Sequence, residues 1–554
     1  MTASRLSSPP ASLRARYDVV VIGSGYGGGV AACRLARAGR KVCVLERGRE
    51  LQPGDYPNDT LSLLEQIQVD TAPARLGSRQ ALFDVRVYDD INVAVGCGLG
   101  GTSLINAGLA LRPDPRVFQT KRWAAALQDE TQLEIYFERA EEMLRPAVYP
   151  EHLPPLAKFK ALEQSARGLQ LPFARLPMLV NFEQLPGGLN HVGVTQGACV
   201  ACGDCITGCN YGAKNTVLMN YLPDAKRHGA EIFTDVSASD VTPAGGGWRV
   251  RVQSADGSER MVEAGSVVLA AGTLGSTEIL LRSRANGLKV SDALGHRFSG
   301  NGDMVALTYN ADIEVNAIGF GKLDPQGRAP VGPCSTGIID ARGGRTVDEG
   351  MIMVEGAAPG AFAKWLPALL GALAAVTGQD TDRGFTDAIK EKARELESKV
   401  AGPYTGAVQR TQICLVVAQD DAGGEMVLDG DRLTIRWPDV GRQAPFMRAN
   451  EMMLGAARAL GGTYIPSPTW HELLGRKPVT GHPLGGCPLA DDARDGVVNH
   501  RGQVFSADAG DQVHPGLFVM DGSIVPVALG VNPLLTITAL AERCCESLVN
   551  PRYQ

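Results

Sequence analysis

With 554 residues, 44% of them apolar and 21% charged, the chain has the make-up of a globular protein that buries a sizeable core, and at roughly 150 residues per domain its length allows about three or four units. Its 60 acidic residues outnumber 54 lysines and arginines for a net charge of −6, and no Lys/Arg run is long enough to form a phosphate-binding face, which argues against nucleic acid as a partner. Twelve cysteines would form a disulfide scaffold only in a small secreted chain.

Residues 1–16, MTASRLSSPPASLRAR, carry arginines but no apolar segment of the kind a secretory signal needs, so the sequence predicts a cytoplasmic protein. Residues 17–46, YDVVVIGSGYGGGVAACRLARAGRKVCVLE, read as a βαβ unit: an apolar strand, a Gly-rich turn, a helix ending at Gly39 and a second strand. Gly23, Gly25 and Gly28 form G-x-G-x-x-G between strand and helix, the arrangement that lets backbone N–H groups approach a pyrophosphate at a helix N-terminus. Glu46 ends the second strand 23 residues after Gly23, where a carboxylate can accept hydrogen bonds from a ribose. These features fit FAD or NAD equally.

Next comes VGCGLGGTSLINAG at 95–108, a second Gly-rich loop. Cys199, Cys202, Cys205 and Cys209 then crowd into eleven residues with the spacing C-x2-C-x2-C-x3-C, that of an iron–sulfur ligand run, although Asn210 stands where bacterial ferredoxins have proline. Zinc sites generally use two CxxC pairs set further apart, and the alternative to a cluster is a loop of small packed thiols. One run does not guarantee four ligands to one centre: three of these thiols could hold a 3Fe-4S cluster, all four a 4Fe-4S cubane, or a distant thiol such as Cys334 or Cys414 could join them.

Residues 248–271 alternate in WRVRVQ, turn at SADG and end in SVVLAA, which predicts a hairpin leading into a buried strand. Leu366, Leu369, Leu370, Leu373 and Val376 recur at helical spacing, as do Phe385, Ile389, Ala393, Leu396 and Val400. The first of these helices is expected beside the mouth of a site for apolar substrates; Lys364 and Pro367 interrupt its apolar stretch, 361–376, which falls short of the roughly 20 residues that span a bilayer. A final βα pattern, GLFVMDGSIVP then NPLLTITALAERCCESL, closes the chain. Pieces of one α/β domain thus lie at the start, middle and end. The predicted fold is α/β: a discontinuous Rossmann-type dinucleotide domain (15–120, 212–305 and 475–554), and a second, substrate-binding α+β domain with helices on a sheet (121–211 and 306–474, including the Cys-rich loop 199–209).

Taken with TGHPLGGCPL at 480–489 and MDGSIVPVALGVNPLLTITALAER at 520–543, both Gly-rich loops, VVLAAGTLGSTEILLRS at 267–283 and LGHRFSGNGD at 294–303 resemble the glucose–methanol–choline (GMC) flavoprotein family, the cholesterol oxidase branch in particular. The resemblance does not reach over roughly 120–190 and 360–470. It implies FAD, held by the first turn and Glu46, with Gly100, Gly101, Ser103 and Asn106 along the pyrophosphate and isoalloxazine and Asp521 and Gly522 closing from the C-terminal side. It also implies His482 and Asn532 as the active-site pair. A neutral imidazole can take the hydroxyl proton of an alcohol as its hydride leaves, and an amide can orient the hydroxyl. Glu355, in MIMVEGAAPG, resembles the glutamate that moves a proton during steroid isomerisation, although neighbouring Glu349 is an equal match. Some bacterial members of this superfamily carry an iron–sulfur cluster in the cysteine zone.

The resulting expectation is an FAD-dependent oxidoreductase of a lipophilic alcohol, sterol-like, terpenoid or long-chain. Electrons would go to oxygen or, through a cluster, to an acceptor protein or quinone, with transient contact to a membrane surface. A fatty-acid photodecarboxylase or an electron-carrier flavoprotein would need no alcohol-directed base, and His482 with Asn532 argues against both.

Overall fold

The computed structural model describes residues 5–129, 131–382, 384–472 and 475–549. The strand Arg16–Ile22 is apolar because it is buried on both faces, and it pairs in parallel with Val42–Leu45 on one side and Glu259–Leu269 on the other. Glu231–Phe233 and Val513–Val519 extend this parallel core at either end. Gln503–Phe505 and the hairpin Val236–Ala244/Gly247–Ser254 complete eight strands. The Gly247–Ser254 strand alternates buried and exposed residues as WRVRVQ predicts, and pairs with the first half of Glu259–Leu269. The helix Tyr26–Arg37 runs back from the first strand, and the chain turns at Gly39, whose φ is +77°. It packs against the C-terminal helix Leu534–Val549, where Arg34 makes a two-pronged contact of 2.7 and 2.8 Å with the buried Glu542.

A second sheet of seven strands is antiparallel throughout: Gln379–Asp380, Thr463–Ile465, Met304–Tyr309, Gln412–Ala418, Met351–Gly356, Gly337–Asp340 and Phe173–Arg175, in spatial order. The helices Ala157–Leu169 and Ala444–Leu460 pack on each other and on this sheet. A small sheet made mainly from residues 67–96 receives Val479–Thr480 as an edge strand beside Asn92–Gly96, and this pairing fixes where the next residues, Gly481 and His482, emerge.

The two periodic segments form the helices Leu366–Thr377 and Phe385–Ala401, and both bury only a few side chains. Leu366 and Leu370 are buried against Tyr309, Val408 and Ile465, whereas Leu369 and Val376 are exposed. On the second helix Ile389, Leu396 and Val400 all face solvent. Polar groups anchor it instead: Ser398 Oγ accepts from Val408 N, and the Arg394 guanidinium donates to the carbonyls of Asn310 and Ala311. The side chain of Phe385 lies outside the described residues. By length and composition alone, Gly360–Thr377 is apolar enough to cross a bilayer, two residues longer than the apolar stretch 361–376.

Candidate functional site

Between the parallel sheet, the small sheet and the C-terminal turns lies a cavity of about 740 Å3, within the range of small-molecule and cofactor sites. Gly23, Gly25 and Gly27 line it, and Gly25 caps the helix Tyr26–Arg37, so that helix presents free N–H groups to the cavity. Gly28 faces the other way: a Cβ there would stand 2.1 Å from the Gly23 carbonyl oxygen, so only glycine lets the helix start this close to the turn. The second Gly-rich loop packs onto the first. A Cβ on Gly101, at φ +56°, would come within 2.9 Å of Gly25 Cα, and Gly100 N donates to Ser24 Oγ at 2.9 Å.

Glu46 is buried in the wall, where its carboxylate accepts from Ser24 Oγ at 2.5 Å and Gly48 N at 2.8 Å; burial raises it above the ordinary carboxylate range. Asp521 is also a wall residue and a clasp. Its oxygens accept from Gly272 N and Ser276 Oγ on one side and from Ser523 N and Oγ on the other, so the C-terminal turn is tied to the N-terminus of the helix Gly272–Ala285. Gly522 lines the same wall.

Gly101 and Asn106 line the cavity, but Gly100 and Ser103 do not. Ser103 is fully buried behind the turn, donating to Gly100 O at 2.6 Å and accepting from Val217 N at 3.1 Å, so its hydroxyl shapes the loop; Thr102 takes the lining position. Six arginines that no motif marks, 47, 75, 79, 86, 251 and 282, line the cavity from three strands, one helix and two loops. Burial, together with Arg75 and Arg47 nearby, lowers Arg79 below the usual guanidinium range.

These residues fit FAD. Two glycine turns and a helix N-terminus suit a pyrophosphate, and two buried amide oxygens on the lining residues Asn106 and Asn532 have no hydrogen-bond partner. Asn106 Nδ2 is engaged with Tyr26 OH at 2.8 Å, leaving its oxygen for a donor from a ligand.

His482 and Asn532 also line the cavity, 2.9 Å apart between Nε2 and Nδ2. On the far side of the ring, Nδ1 is 2.8 Å from Oδ1 of Asp303, a residue 179 positions away that sequence reasoning left without a role. The loop ahead of the strand Met304–Tyr309 organises both partners. Asn301 Oδ1 accepts from Leu529 N and Gly530 N and its Nδ2 donates to Val531 O, fixing the turn that carries Asn532, while Asp303 holds His482. Asp420, raised to about 6 by burial, fastens the loop in turn through Ser299 Oγ and Gly302 N. Only the segment LGHRFSGNGD signalled this platform in the sequence.

Glu355 is not brought to the cavity. It sits fully buried on Met351–Gly356, paired with the equally buried Lys158 at 2.9 Å and accepting from Thr336 N, Thr336 Oγ1 and Gly337 N. Glu349, the other candidate, lies in the short turn before that strand. The helix Leu366–Thr377 contributes no lining residue either, so the expected apolar wall does not come from it.

Cys199, Cys202, Cys205 and Cys209 line a second, smaller cavity of about 20 Å3, and all four are free thiols. Cys334 packs in the same apolar cluster as Cys202 and Cys205, but neither it nor Cys414 reaches the cavity. No three of the four sulfurs lie within 4.8 Å of one another, whereas ligands about 2.3 Å from a single tetrahedral zinc would lie closer than that. Burial raises Cys199 to about 12 and pushes Cys202 and Cys205 higher. Asn210 pins the loop from outside, accepting from Gly54 N and Tyr56 N. Lys214 Nζ, lowered to about 8 by burial, donates to Cys205 O at 3.2 Å and to Leu104 O at 3.1 Å, joining the cysteine loop to the turn that follows Gly101.

Comparison with known proteins accords with this geometry. The GMC oxidoreductase family model matches residues 26–299 with its N-terminal part and 457–541 with its C-terminal part. A cholesterol oxidase of Acinetobacter baumannii is 28% identical over 95% of this chain and 93% of its own length, and one of Mycobacterium tuberculosis is 27% identical over 95% and 90%. A long-chain-alcohol oxidase of Arabidopsis thaliana is 25% identical over 97% of this chain and 68% of its own. Among solved structures, pyridoxine 4-oxidase from Mesorbium loti superposes with a TM-score of 0.60 at 17% identity, covering 96% of this chain and 99% of the other. The chain belongs to the GMC oxidoreductase family, FAD-dependent enzymes that act on CH–OH donors.

Proposed function

We propose that this protein oxidises a hydroxyl group on a lipophilic alcohol, sterol-like, terpenoid or long-chain, with His482 as the base. The observation that carries the reading is the His482–Asn532 pair on the cavity wall, its imidazole secured from behind by Asp303. FAD, when bound, supplies the acceptor for the hydride that leaves the carbinol carbon. Gly23, Gly25, Glu46, Gly101, Asn106, Asp521 and Gly522 would hold it. His482 Nε2 would take the hydroxyl proton, and the second N–H of Asn532 Nδ2 would donate to the hydroxyl oxygen and so orient the substrate. The substrate class is supported by similarity to cholesterol and long-chain-alcohol oxidases along nearly the whole chain. Burial of apolar surface at about 25 cal/mol per Å2 would bind such molecules with few polar contacts.

The test is anaerobic mixing with sterols, terpenoid alcohols, long-chain alcohols and sugars while flavin absorbance is followed. Bleaching by a lipophilic alcohol is expected; higher kcat/KM for glucose or another sugar would overturn the substrate assignment and leave the chemistry standing.

The four-thiol cavity prompts a second reading of the electron acceptor, a dehydrogenase: Cys199, Cys202, Cys205 and Cys209 would hold a 3Fe-4S or 4Fe-4S cluster, which would supply single-electron transfer to a protein or quinone. Its support is that all four cysteines of an iron–sulfur spacing face one cavity, spread more widely than a single zinc requires. A cavity of about 20 Å3 has room for roughly one water, so loop 199–209 would have to open to seat a cluster. Protein made with ample iron and without oxygen should then contain iron and acid-labile sulfide beside FAD, and Cys205→Ser should remove both while leaving the flavin. Iron-free protein with four alkylatable thiols, reoxidised directly by air, would establish an oxygen-using oxidase instead.

A further inference from the structure

The ring of His482 is held at both nitrogens, and the two partners are chemically unequal. Asp303 is 3% exposed, does not line the cavity and faces Nδ1 at 2.8 Å. Its other oxygen accepts from Gly481 N at 2.9 Å and lies 2.9 Å from Thr480 Oγ1. A backbone N–H can only donate, so Oδ2 is committed as an acceptor, and the remaining carboxylate oxygen is an acceptor as well. Nδ1 must therefore carry the ring proton. That leaves the Nε2 lone pair on the cavity side, where Asn532 Nδ2 donates to it at 2.9 Å, and leaves Asn532 Oδ1 as the buried acceptor without a partner.

We propose that Asp303 is a positioning residue that fixes His482 in the Nδ1–H tautomer, so that Nε2 carries a lone pair and takes the substrate's hydroxyl proton when the substrate hydroxyl displaces the Asn532 N–H from it. The inference rests on the reading of His482 as the base. The proton moves from the hydroxyl oxygen to Nε2 as the hydride leaves the carbon; the resulting imidazolium keeps its Nδ1–H on Asp303, whose charge offsets the new positive charge at a buried contact.

Asp303→Asn tests this because Gly481 N fixes the amide's orientation. The amide oxygen must stand where Oδ2 stood, which turns the NH2 group toward Nδ1 and leaves the imidazole to carry its proton on Nε2. The experiment is 15N NMR of histidine-labelled holoenzyme at pH 8, with the His482 signals identified by their loss in His482→Gln, alongside rapid anaerobic flavin reduction by 1-dodecanol or cholesterol, whichever bleaches the flavin. The expected result is a protonated Nδ1 and bare Nε2 in the native enzyme, the reverse in Asp303→Asn, and a loss of about 10²–10⁴-fold in kcat with KM changed only a few-fold. A native His482 protonated at Nε2, or at both nitrogens, overturns the proposal, as does an Asp303→Asn enzyme that keeps the native tautomer. If Asp303→Asn does not accumulate with FAD bound, the native tautomer alone decides. Inversion of the tautomer with undiminished flavin reduction supports the positioning role and removes His482 as the base.

Discussion

At the scale of single residues, chemistry and architecture divide cleanly among the acidic and imidazole groups. His482 faces the cavity with one nitrogen unencumbered by a carboxylate, whereas Glu355 spends its oxygens on Lys158, Thr336 and Gly337 deep in the second sheet. Two opposite outcomes follow. His482→Gln is expected to keep FAD bound, by absorbance, and to slow anaerobic flavin reduction about 10²–10⁴-fold; a variant reducing at the parental rate would remove the assignment. Glu355→Gln leaves a buried lysine without its counter-charge and is expected to cost about 3–5 kcal/mol in denaturant unfolding. The folded fraction should still reduce its flavin at close to the parental rate, and an unaltered unfolding midpoint with lost turnover would give Glu355 back its role in proton transfer.

At the scale of elements, the loop between residues 298 and 303 matters more than its length suggests, since Asn301 and Asp303 hold the two chain segments that carry Asn532 and His482. Asp420 secures it. Burial raises this carboxyl to about 6 from 3.8, so between those values the folded chain retains a proton that the unfolded chain has released. Its contribution to stability is thus fully present below about pH 4 and is lost as pH rises through about 6, by up to about 3 kcal/mol. Asp420→Asn removes the titration. The melting temperature of the parent should therefore exceed that of Asp420→Asn by more at pH 4.5 than at pH 7, and a difference that stays constant over that range would show that Asp420 titrates as an ordinary carboxyl.

Across the whole molecule, the cavity is walled by strands and turns from residues near 22, 46, 96, 270, 482 and 521, so its occupant ties the start, middle and end of the chain together. A ligand that binds only the folded form adds about 4 kcal/mol at a thousand times its Kd. Stripping FAD is expected to lower the thermal midpoint by several degrees and to expose the first sheet's amides to hydrogen exchange, with both effects reversed on adding FAD back. An apoprotein melting with the holoprotein would place the cofactor outside this cavity.

The local parts were legible from the residues alone. The apolar strand, G-x-G-x-x-G turn and helix of residues 17–46 form where their period and glycines dictate, as does the hairpin at 248–271, because burial on both faces, alternation and turn chemistry act over a few residues. His482 and Asn532 were marked by motif, but nothing in spacing joins either to Asp303, or the six arginines to one another. Ser103 matched a cofactor-loop pattern, yet which face of a tight turn meets the ligand depends on what packs behind it, here Val217. The stripe from Ile389 to Val400 has core periodicity and lies in solvent, since periodicity reports that a helix has an apolar face and not that a partner covers it. Long-range pairing, the choice of buried face and the meeting of Asp303 with His482 were decided only by the tertiary structure, because each depends on chain segments brought together by the packing of whole sheets.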